Sequence, residues 1–557
     1  MHFFADHILS VILFTPLVGA ILLLFVPRQR ENAQRVIGNV FGMLGLAVSL
    51  PLIWLFRVER PGFQFVESAS WIPSIGARYT LGIDGISFLL VMLTTLLGAI
   101  SILSSWRAIQ TRKKEYYVLF LLLQTGMLGV FMSLDFFLFY VFWEVMLVPM
   151  YFLIGVWGSE RRLYAAIKFF LYTLAGSVVM LLAILAVYFR AGASSGAFTF
   201  DVPALLAAAR HFPDGVKAWL FWGFFFAFAI KVPMFPFHTW LPDAHTEAPT
   251  AGSVILAGVL LKMGTYGFIR FSLPLLPGDA QLRGKIIGIV VFLSLVAIVY
   301  GALVCLMQKD MKRLIAYSSV SHLGFCTLGL FMLTPHGLAG SVLQQINHGI
   351  STGALFLIVG ILYERRHTRM ISDFGGLSTP MPNFAAIYLI VTLSSLGMPL
   401  LNGFIGEFTI LRGTFEVSKV WAAWGALGII LGAAYLLWLY QRVMFGPVTH
   451  AANEHLPDVN LREMVTLVPL VLLALWIGVY PRPFFRCLEK PVQQIVETVN
   501  PGYYNAERAA LPAPEAASVA GTPAAASGLS SSAAGDDRNR ASKAAAGPGG
   551  SGVKEPR

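Results

Sequence analysis

The chain has 557 residues, of which 57% are hydrophobic and only 12% are charged, and its mean hydropathy is +0.71. A soluble protein of this length needs far more surface charge, so the composition excludes that class and indicates a polytopic membrane protein. The formal net charge of +11 lies in short loops and in the C-terminal tail, which favours membrane orientation over nucleic-acid binding.

The hydrophobic pattern predicts an all-α polytopic membrane protein. Apolar runs of about 20 residues, long enough to cross a bilayer as helices, recur from the N-terminus to near the C-terminus. About fourteen such segments are predicted, at 8–26, 33–56, 84–106, 116–132, 136–157, 163–189, 218–247, 249–271, 285–306, 312–333, 337–361, 383–411, 421–445 and 464–480. Because no basic region precedes the first segment, it is expected to be a retained helix rather than a cleaved signal.

Two of the predicted segments are longer than a simple span and contain helix-breaking residues. Segment 218–247 contains Pro233, Pro236 and Pro242, and segment 383–411 contains Pro399 and several glycines. Both are predicted to be discontinuous helices, which transporters use to place polar backbone groups at mid-membrane depth.

Basic residues predict the orientation of the chain. They follow the first, third, fifth, ninth and eleventh segments, whereas the loops at 133–135 and 334–336 carry no lysine or arginine. The positive-inside rule then places the odd-numbered loops in the cytoplasm and both termini outside it.

Two features of the sequence carry no predicted chemistry. The three cysteines, Cys305, Cys326 and Cys487, are far apart and form no CxxC motif, so they predict neither a metal cluster nor a disulfide framework. From about residue 506 onward, Ala, Gly, Ser and Pro dominate, and this tail is predicted to be disordered because it has too little apolar content to fold. No cofactor site is predicted in the chain.

Six ionisable side chains lie inside predicted spans, away from their ends. These six residues are Glu144, Lys231, Lys262, His322, His348 and Glu407. A charged side chain near the bilayer centre costs roughly 3 kcal/mol on insertion scales. Lys262 follows the break at Pro249 by a distance of about 18 Å along a helix, near the middle of a hydrocarbon core about 30 Å thick. Its side chain cannot reach either surface, so a role inside the membrane is expected.

Simpler explanations exist for several of these groups. Glu144 and Lys231 could form a purely structural ion pair, and Glu407 could cap backbone amides in a broken helix. His322 and His348 could be neutral core histidines. The alternative is a proton relay. Burial disfavours the charged form of such a group and a neighbouring opposite charge favours it, so a group held between the two effects can gain or lose a proton when its partner moves.

Other polar residues in the same region are ambiguous. Lys168 lies near a predicted cytoplasmic end and is interpreted as a snorkelling anchor. His238, Asp243, His245 and Glu247 could form the cytoplasmic mouth of a polar path or could be loop residues around prolines. Their spacing lacks convincing metal-ligand geometry.

Several motifs together resemble the antiporter-like, proton-translocating membrane subunits of respiratory complex I, multi-subunit cation/proton antiporters and membrane-bound hydrogenases. The longest is Lys231-Val-Pro-Met-Phe-Pro-Phe-His-Thr-Trp-Leu-Pro-Asp-Ala-His-Thr-Glu-Ala-Pro-Thr. The others are Phe142-Trp-Glu144, Leu261-Lys262-Met-Gly-Thr-Tyr-Gly, Asp310-Met-Lys-Arg-Leu-Ile-Ala-Tyr-Ser-Ser-Val-Ser-His322 and Asn347-His348-Gly. The resemblance covers about residues 1–500.

The resemblance implies fourteen helices with two inverted five-helix repeats, helices 4–8 and 9–13, each with a discontinuous helix. The implied divisions are 1–110 for helices 1–3, 111–275 and 276–447 for the two repeats, 448–505 for the last helix and its flanks, and 506–557 for the tail. It also implies that Glu144 pairs with Lys231, that Lys262 is the central relay group, that His322 and His348 connect it onward, and that Glu407 is the terminal donor.

Glu407 favours one branch of the family, since the resemblance implies a lysine at this position in the antiporter proteins. The chain is therefore expected to be a proton-pumping membrane subunit of NADH:quinone oxidoreductase in a bacterial cytoplasmic membrane. Its implied partners are other complex I subunits, especially neighbouring antiporter-like subunits, and membrane lipid; quinone is involved only indirectly and nucleic acid not at all. FMN and iron–sulfur clusters are expected in partner subunits. The alternatives are a subunit of a sodium/proton antiporter or membrane-bound hydrogenase, and a purely structural helix bundle.

Overall fold

The computed structural model describes residues 6–504, so the predicted disordered tail at 506–557 lies outside the described residues. Apolar helices dominate this part of the chain, and the first of them precede a β-hairpin that the hydrophobic pattern did not predict. In chain order the elements are α1 (Ile8–Phe25), α2 (Glu31–Ser49), α3 (Leu52–Leu55), β1 (Gln64–Ile72), β2 (Ala77–Ile83) and α4 (Gly85–Ala108).

The hairpin pairs β1 and β2 antiparallel, with Ala69 opposite Tyr79. It is tied to the start of α1, because the Glu67 carboxylate accepts a hydrogen bond of 2.8 Å from the Leu9 backbone N–H. Asp84 ends the hairpin and caps α4 by accepting from the Ser87 N–H.

The remaining helices form two successive groups. The first group is α5 (Lys113–Met132), α6 (Phe136–Val145), α7 (Leu147–Trp157), α8 (Arg162–Ser195), α9 (Val202–Ala209), α10 (Asp214–Lys231), α11 (Trp240–Glu247), α12 (Thr250–Ile255) and α13 (Leu261–Gly267). The second group is α14 (Ala280–Leu306), α15 (Met311–Phe331), α16 (Pro335–Arg366), α17 (Pro382–Ser395), α18 (Asn402–Val417), α19 (Lys419–Met444), α20 (Leu461–Val479) and α21 (Arg482–Val499).

Twelve helical segments within residues 6–504 are long and apolar enough to cross a membrane. Each predicted span corresponds to one of these or to one of the two segments that are broken, which confirms the polytopic α-helical class. Fourteen crossings and the inverted repeats remain predictions.

Both predicted discontinuous helices are broken in the structure. The first stops at Lys231 and resumes through a 3₁₀ turn at Phe237–Thr239 before α11. Pro233 and Pro236 lack backbone N–H groups, so the helical ladder cannot continue through them. The Trp240 indole N–H donates to the Ile230 carbonyl at 2.9 Å, which satisfies a backbone group at the end of α10.

The second break separates α17 from α18. Gly397 adopts a φ of +81°, a left-handed conformation that glycine accommodates without a steric penalty. Asn347 on α16 donates to the Asn402 carbonyl at 2.7 Å, so side chains of a neighbouring helix satisfy the interrupted backbone.

The predicted basic loops gather at one end of the bundle. Arg365 pairs with Glu463 at 2.7 Å, and Arg369 pairs with Asp310 at 3.2 Å. We call the end of the bundle that carries these loops the basic end. The start of α1, the hairpin and the turn between α20 and α21 lie at the opposite end, the hairpin end. At Gly85, a Cβ would fall only 1.7 Å from the Cys487 carbonyl, so α4 and α21 are in direct backbone contact there.

Candidate functional site

Lys262 is fully buried in a helix that departs from α-helical geometry on both sides of it. A π-helical stretch, Leu256–Leu260, precedes α13, and a second one, Phe268–Ser272, follows it. The Lys262 ammonium donates to the carbonyl of Ala257, which lies five residues earlier in the first π stretch. Such π stretches occur frequently at functional sites, but no local sequence pattern had predicted these.

The ammonium of Lys262 also contacts a histidine on another helix. Lys262 Nζ lies 2.7 Å from Nδ1 of His348 on α16. Close packing of two glycines makes this contact possible: a Cβ on Gly349 would lie 3.0 Å from the Gly258 carbonyl oxygen and 2.8 Å from Leu93. The π stretch and α16 therefore approach each other more closely than larger residues would allow.

Beyond His348 the polar groups continue toward the second broken helix. The rings of His348 and His322 have centroids 5.9 Å apart. A cavity of about 10 Å³, lined by both histidines and by Ser351 and Ser394, lies beside them. This volume is at the lower limit for one water molecule, and the lining supplies the polar partners that such a water needs.

Glu407, in the first turns of α18, is the last group of this series. Its carboxylate lies 2.8 Å from His322 Nδ1 and accepts a hydrogen bond of 3.0 Å from Gln344 Nε2. The hydroxyl of Tyr435 lies 3.3 Å from His322 Nε2. Gln344 and Tyr435 were not among the predicted site residues. Gln344 stands four residues before His348, on the same helical face, which is a signal that could have identified it.

Lys231 has different surroundings from those expected. Its ammonium lies 3.5 Å from Met146 Sδ and 5.4 Å from the centroid of the Trp143 ring. The Glu144 carboxylate instead accepts a hydrogen bond from Ser177. No salt bridge joins Glu144 to Lys231 within residues 6–504, so the direct ion pair that was expected is not formed in this structure. Met146 lies two residues beyond Glu144 in the same helical span, Phe136–Trp157, and it is the Met146 thioether, not the Glu144 carboxylate, that lies against the ammonium.

The residues suspected of forming a cytoplasmic mouth lie near the basic end but do not form one cluster. Lys168, whose role as a snorkelling anchor stays a prediction, pairs with Asp243 at 2.7 Å. Glu247 accepts from the Arg161 backbone N–H at 3.0 Å. His245 is fully buried and stacks on Phe356 with ring centroids 4.6 Å apart.

Lys262, His348, His322 and Glu407 thus lie in one series of contacts, whereas Glu144 and Lys231 lie apart from it. In the described part of the chain, no hydrogen bond or salt bridge links Glu144 or Lys231 to any of these four residues. No group of three or more His, Cys, Asp or Glu side chains that could hold a metal ion occurs there either. The fold and the site define an α-helical membrane protein with a row of ionisable side chains between helices that are broken or locally distorted.

Comparison with known proteins assigns this class to a family. The family profile described as "NADH:quinone oxidoreductase/Mrp antiporter, TM" matches residues 133–432, and that of the amino terminus of NADH-ubiquinone oxidoreductase chain 4 matches residues 61–134. The chain therefore belongs to the family of membrane subunits shared by NADH:quinone oxidoreductases and Mrp antiporters.

Named relatives cover nearly the whole of the chain. It is 47% identical to NADH-quinone oxidoreductase subunit M of Rhodobacter capsulatus over 486 residues, which are 86% of this chain and 94% of the relative. It is 45% identical to NADH-ubiquinone oxidoreductase chain 4 of Arabidopsis thaliana over 490 residues, which are 88% of this chain and 97% of the relative.

Solved structures share the fold. A chain of respiratory complex I from Thermus thermophilus aligns with a TM-score of 0.79 and 33% identity, covering 88% of this chain and 99% of that one. A chain of the Mrp complex from Dietzia aligns with a TM-score of 0.75 over 89% of this chain and 52% of that one, but at 23% identity it supports the fold alone.

Proposed function

We propose that this chain is a proton-translocating membrane subunit of an NADH:quinone oxidoreductase. The observation that carries the proposal is the buried series Lys262–His348–His322–Glu407. Two of its three steps are direct contacts of 2.7 and 2.8 Å, and the third spans two rings with a small polar cavity beside them. The family and its subunit M and chain 4 members supply the complex in which such a series would work.

Each step of the series has a chemically suitable donor and acceptor. A protonated Lys262 donates to Nδ1 of His348, whose ring passes a proton onward from its other nitrogen. A water of the size that the cavity accommodates carries it toward His322, and His322 delivers it to the Glu407 carboxylate. Histidine suits the intermediate positions because its two nitrogens accept and release a proton on opposite sides of one ring.

Glu144 and Lys231 form the control point of the proposed mechanism. An ammonium surrounded by a thioether and aromatic rings has no direct counter-charge, so its protonation state responds to any approach of the Glu144 carboxylate. A shift of the helical span that carries Glu144 and Met146 would move that carboxylate. This is how events in a neighbouring subunit would reach Lys231.

The free energy that drives proton translocation comes from outside this chain. Oxidation of NADH and reduction of quinone take place in partner subunits that hold FMN and iron–sulfur clusters, and neighbouring antiporter-like subunits transmit the change. The chain itself performs no redox chemistry and meets quinone only indirectly.

The same proposal includes orientation and organisation. The basic end faces the cytoplasm of a bacterial inner membrane and the hairpin end faces outward, in keeping with the positive-inside rule. Residues 111–275 and 276–447 form the two antiporter-like repeats, flanked by 1–110 and 448–505.

Purification in mild detergent tests membership of the complex directly. We expect the chain to co-purify with flavin and iron–sulfur subunits in an assembly that oxidises NADH with quinone. Recovery only with subunits of a cation/proton antiporter, with no NADH oxidation, would refute the proposal. Glu407 is the observation against that alternative, because a carboxylate hydrogen-bonded to His322 stands where the antiporter proteins are expected to carry a lysine.

A further inference from the structure

A deep apolar groove opens at the hairpin end, away from the ionisable series. It lies between α2, α4, α16, α20 and the first turns of α21, and its cavity measures about 490 Å³, within the range of ligand-sized cavities. Almost all of its lining is aliphatic or aromatic, and includes Leu50, Ile53, Leu93, Ile350, Trp476 and Phe484.

The groove is open toward the surroundings of the bundle. Ile53 is 50% exposed and Trp476 is 51% exposed at its rim. Its inner part reaches Ile346 and Ile350 on α16, which precede and follow His348 by two residues. The groove thus runs from the end of the bundle toward mid-depth along the helix that carries the relay histidine.

Two arginines stand at the mouth of this groove. Arg482 and Arg486 are exposed, line the cavity, and lie one helical turn apart on the same face of α21. Both also line a neighbouring cleft that contains Glu59 and Glu489, but neither arginine forms a salt bridge with a carboxylate in the part of the chain that the structure describes. Trp476 in α20 and Tyr480 just after it also line the groove, and such aromatic rings are enriched where hydrocarbon meets the headgroup region.

We propose that the groove binds one anionic phospholipid, with an acyl chain among the apolar side chains and the phosphate between Arg482 and Arg486. The charge at the mouth is complementary to a phosphate, which guanidinium groups bind through paired hydrogen bonds. A polypeptide fits the groove poorly for two reasons. The volume of the groove is on the order of that of one turn of an α-helix, and an irregular segment would leave its backbone groups unpaired against the apolar walls.

The acyl chain would reach Ile346 and Ile350 of α16 at the inner end of the groove, where both side chains are buried. The proposal stands independently of the relay, because it rests on the shape of the groove and on the charges at its mouth.

Lipid binding to the purified, delipidated complex tests the proposal. Dioleoyl phosphatidylglycerol and dioleoyl phosphatidylcholine, which share acyl chains and differ in charge, are titrated in separate arms, and bound lipid is counted by native mass spectrometry. We expect one additional phosphatidylglycerol to bind more tightly than phosphatidylcholine. The double variant R482Q/R486Q should lose affinity for phosphatidylglycerol by roughly fivefold for each arginine, while R60Q, which changes an exposed arginine that does not line the groove, should behave as wild type.

A second variant separates the groove from the arginines. Ile53→Trp adds a ring at the exposed rim and should reduce binding of both lipids, without altering the assembly of the complex. Equal binding of the two lipids, unaffected by R482Q/R486Q and by Ile53→Trp, would overturn the proposal. So would efficient cross-linking of Ile53→Cys to a neighbouring subunit in the complex, because it would show that a polypeptide covers the groove.

Discussion

Nδ1 of His322 lies 2.8 Å from Oε1 of Glu407, although 85 residues separate them in the chain. Both side chains are buried, at 6% and 2% exposure. The contact joins α15 to the second broken helix and makes Glu407 the end of the series that begins at Lys262. A carboxylate in this position can hold a proton from the histidine and release it when its surroundings change.

Replacing Glu407 should therefore block the last step of the series. Glu407→Gln keeps the volume and can still accept from Gln344, but it has no carboxylate to take the proton. We expect an assembled complex whose proton-to-electron ratio in vesicles falls severalfold. Glu416→Gln is the matched control, because Glu416 lies in the same helix, α18, and pairs with His336 instead of the series. An unchanged ratio in Glu407→Gln would remove Glu407 from the path.

The glycine contact beside Lys262 provides a steric test. Gly349→Ala places a methyl group 2.8 Å from the end of the Leu93 side chain and 3.0 Å from the Gly258 carbonyl, so Leu93 must move and the Gly258 backbone must give by a few tenths of an ångström. We expect destabilisation of about 1–3 kcal/mol, typical of overpacking, measured as a lower melting temperature of the purified complex. Gly353→Ala, one turn further along α16, meets nothing closer than 3.6 Å and should be almost neutral. Equal melting temperatures for the two variants would contradict the close packing.

The absence of a direct Glu144–Lys231 ion pair has a measurable consequence. Glu144→Gln should change the free energy of unfolding by less than about 1 kcal/mol, since no buried pair is broken. Glu463→Gln should cost about 3–5 kcal/mol, because it leaves Arg365 buried without its partner at 2.7 Å. Thermal melting of the two assembled variants makes the comparison. Similar large losses in both would indicate that Glu144 and Lys231 are directly paired.

Much of the architecture was accessible from the sequence because its causes are local. Apolar runs predicted the spanning helices, and the prolines around Lys231 predicted the first break. Charges are rare inside a membrane, so position within a predicted span was enough to single out Glu407 and the other five ionisable residues as candidates.

The contacts between these side chains could not be predicted from the sequence, because they depend on packing between distant parts of the chain. The 2.7 Å contact between Lys262 and His348 requires the π stretch and the glycine contact, neither of which has a local pattern. The contact between Met146 and Lys231 likewise depends on how two helices pack, since 85 residues separate the two side chains in the chain. The hairpin and α21 escaped detection because both lie outside the long apolar runs on which the prediction depended.

Proton pumping by a complex that carries Lys262→Met tests the central claim most directly. Methionine fills a similar volume without a titratable group, so the complex should assemble and remain able to transfer electrons. NADH-driven acidification is measured in proteoliposomes beside Lys285→Met, which changes an exposed lysine at the start of α14. We predict that Lys262→Met loses most of its proton pumping and that Lys285→Met retains it. Full pumping by an assembled Lys262→Met complex would contradict a proton path through Lys262.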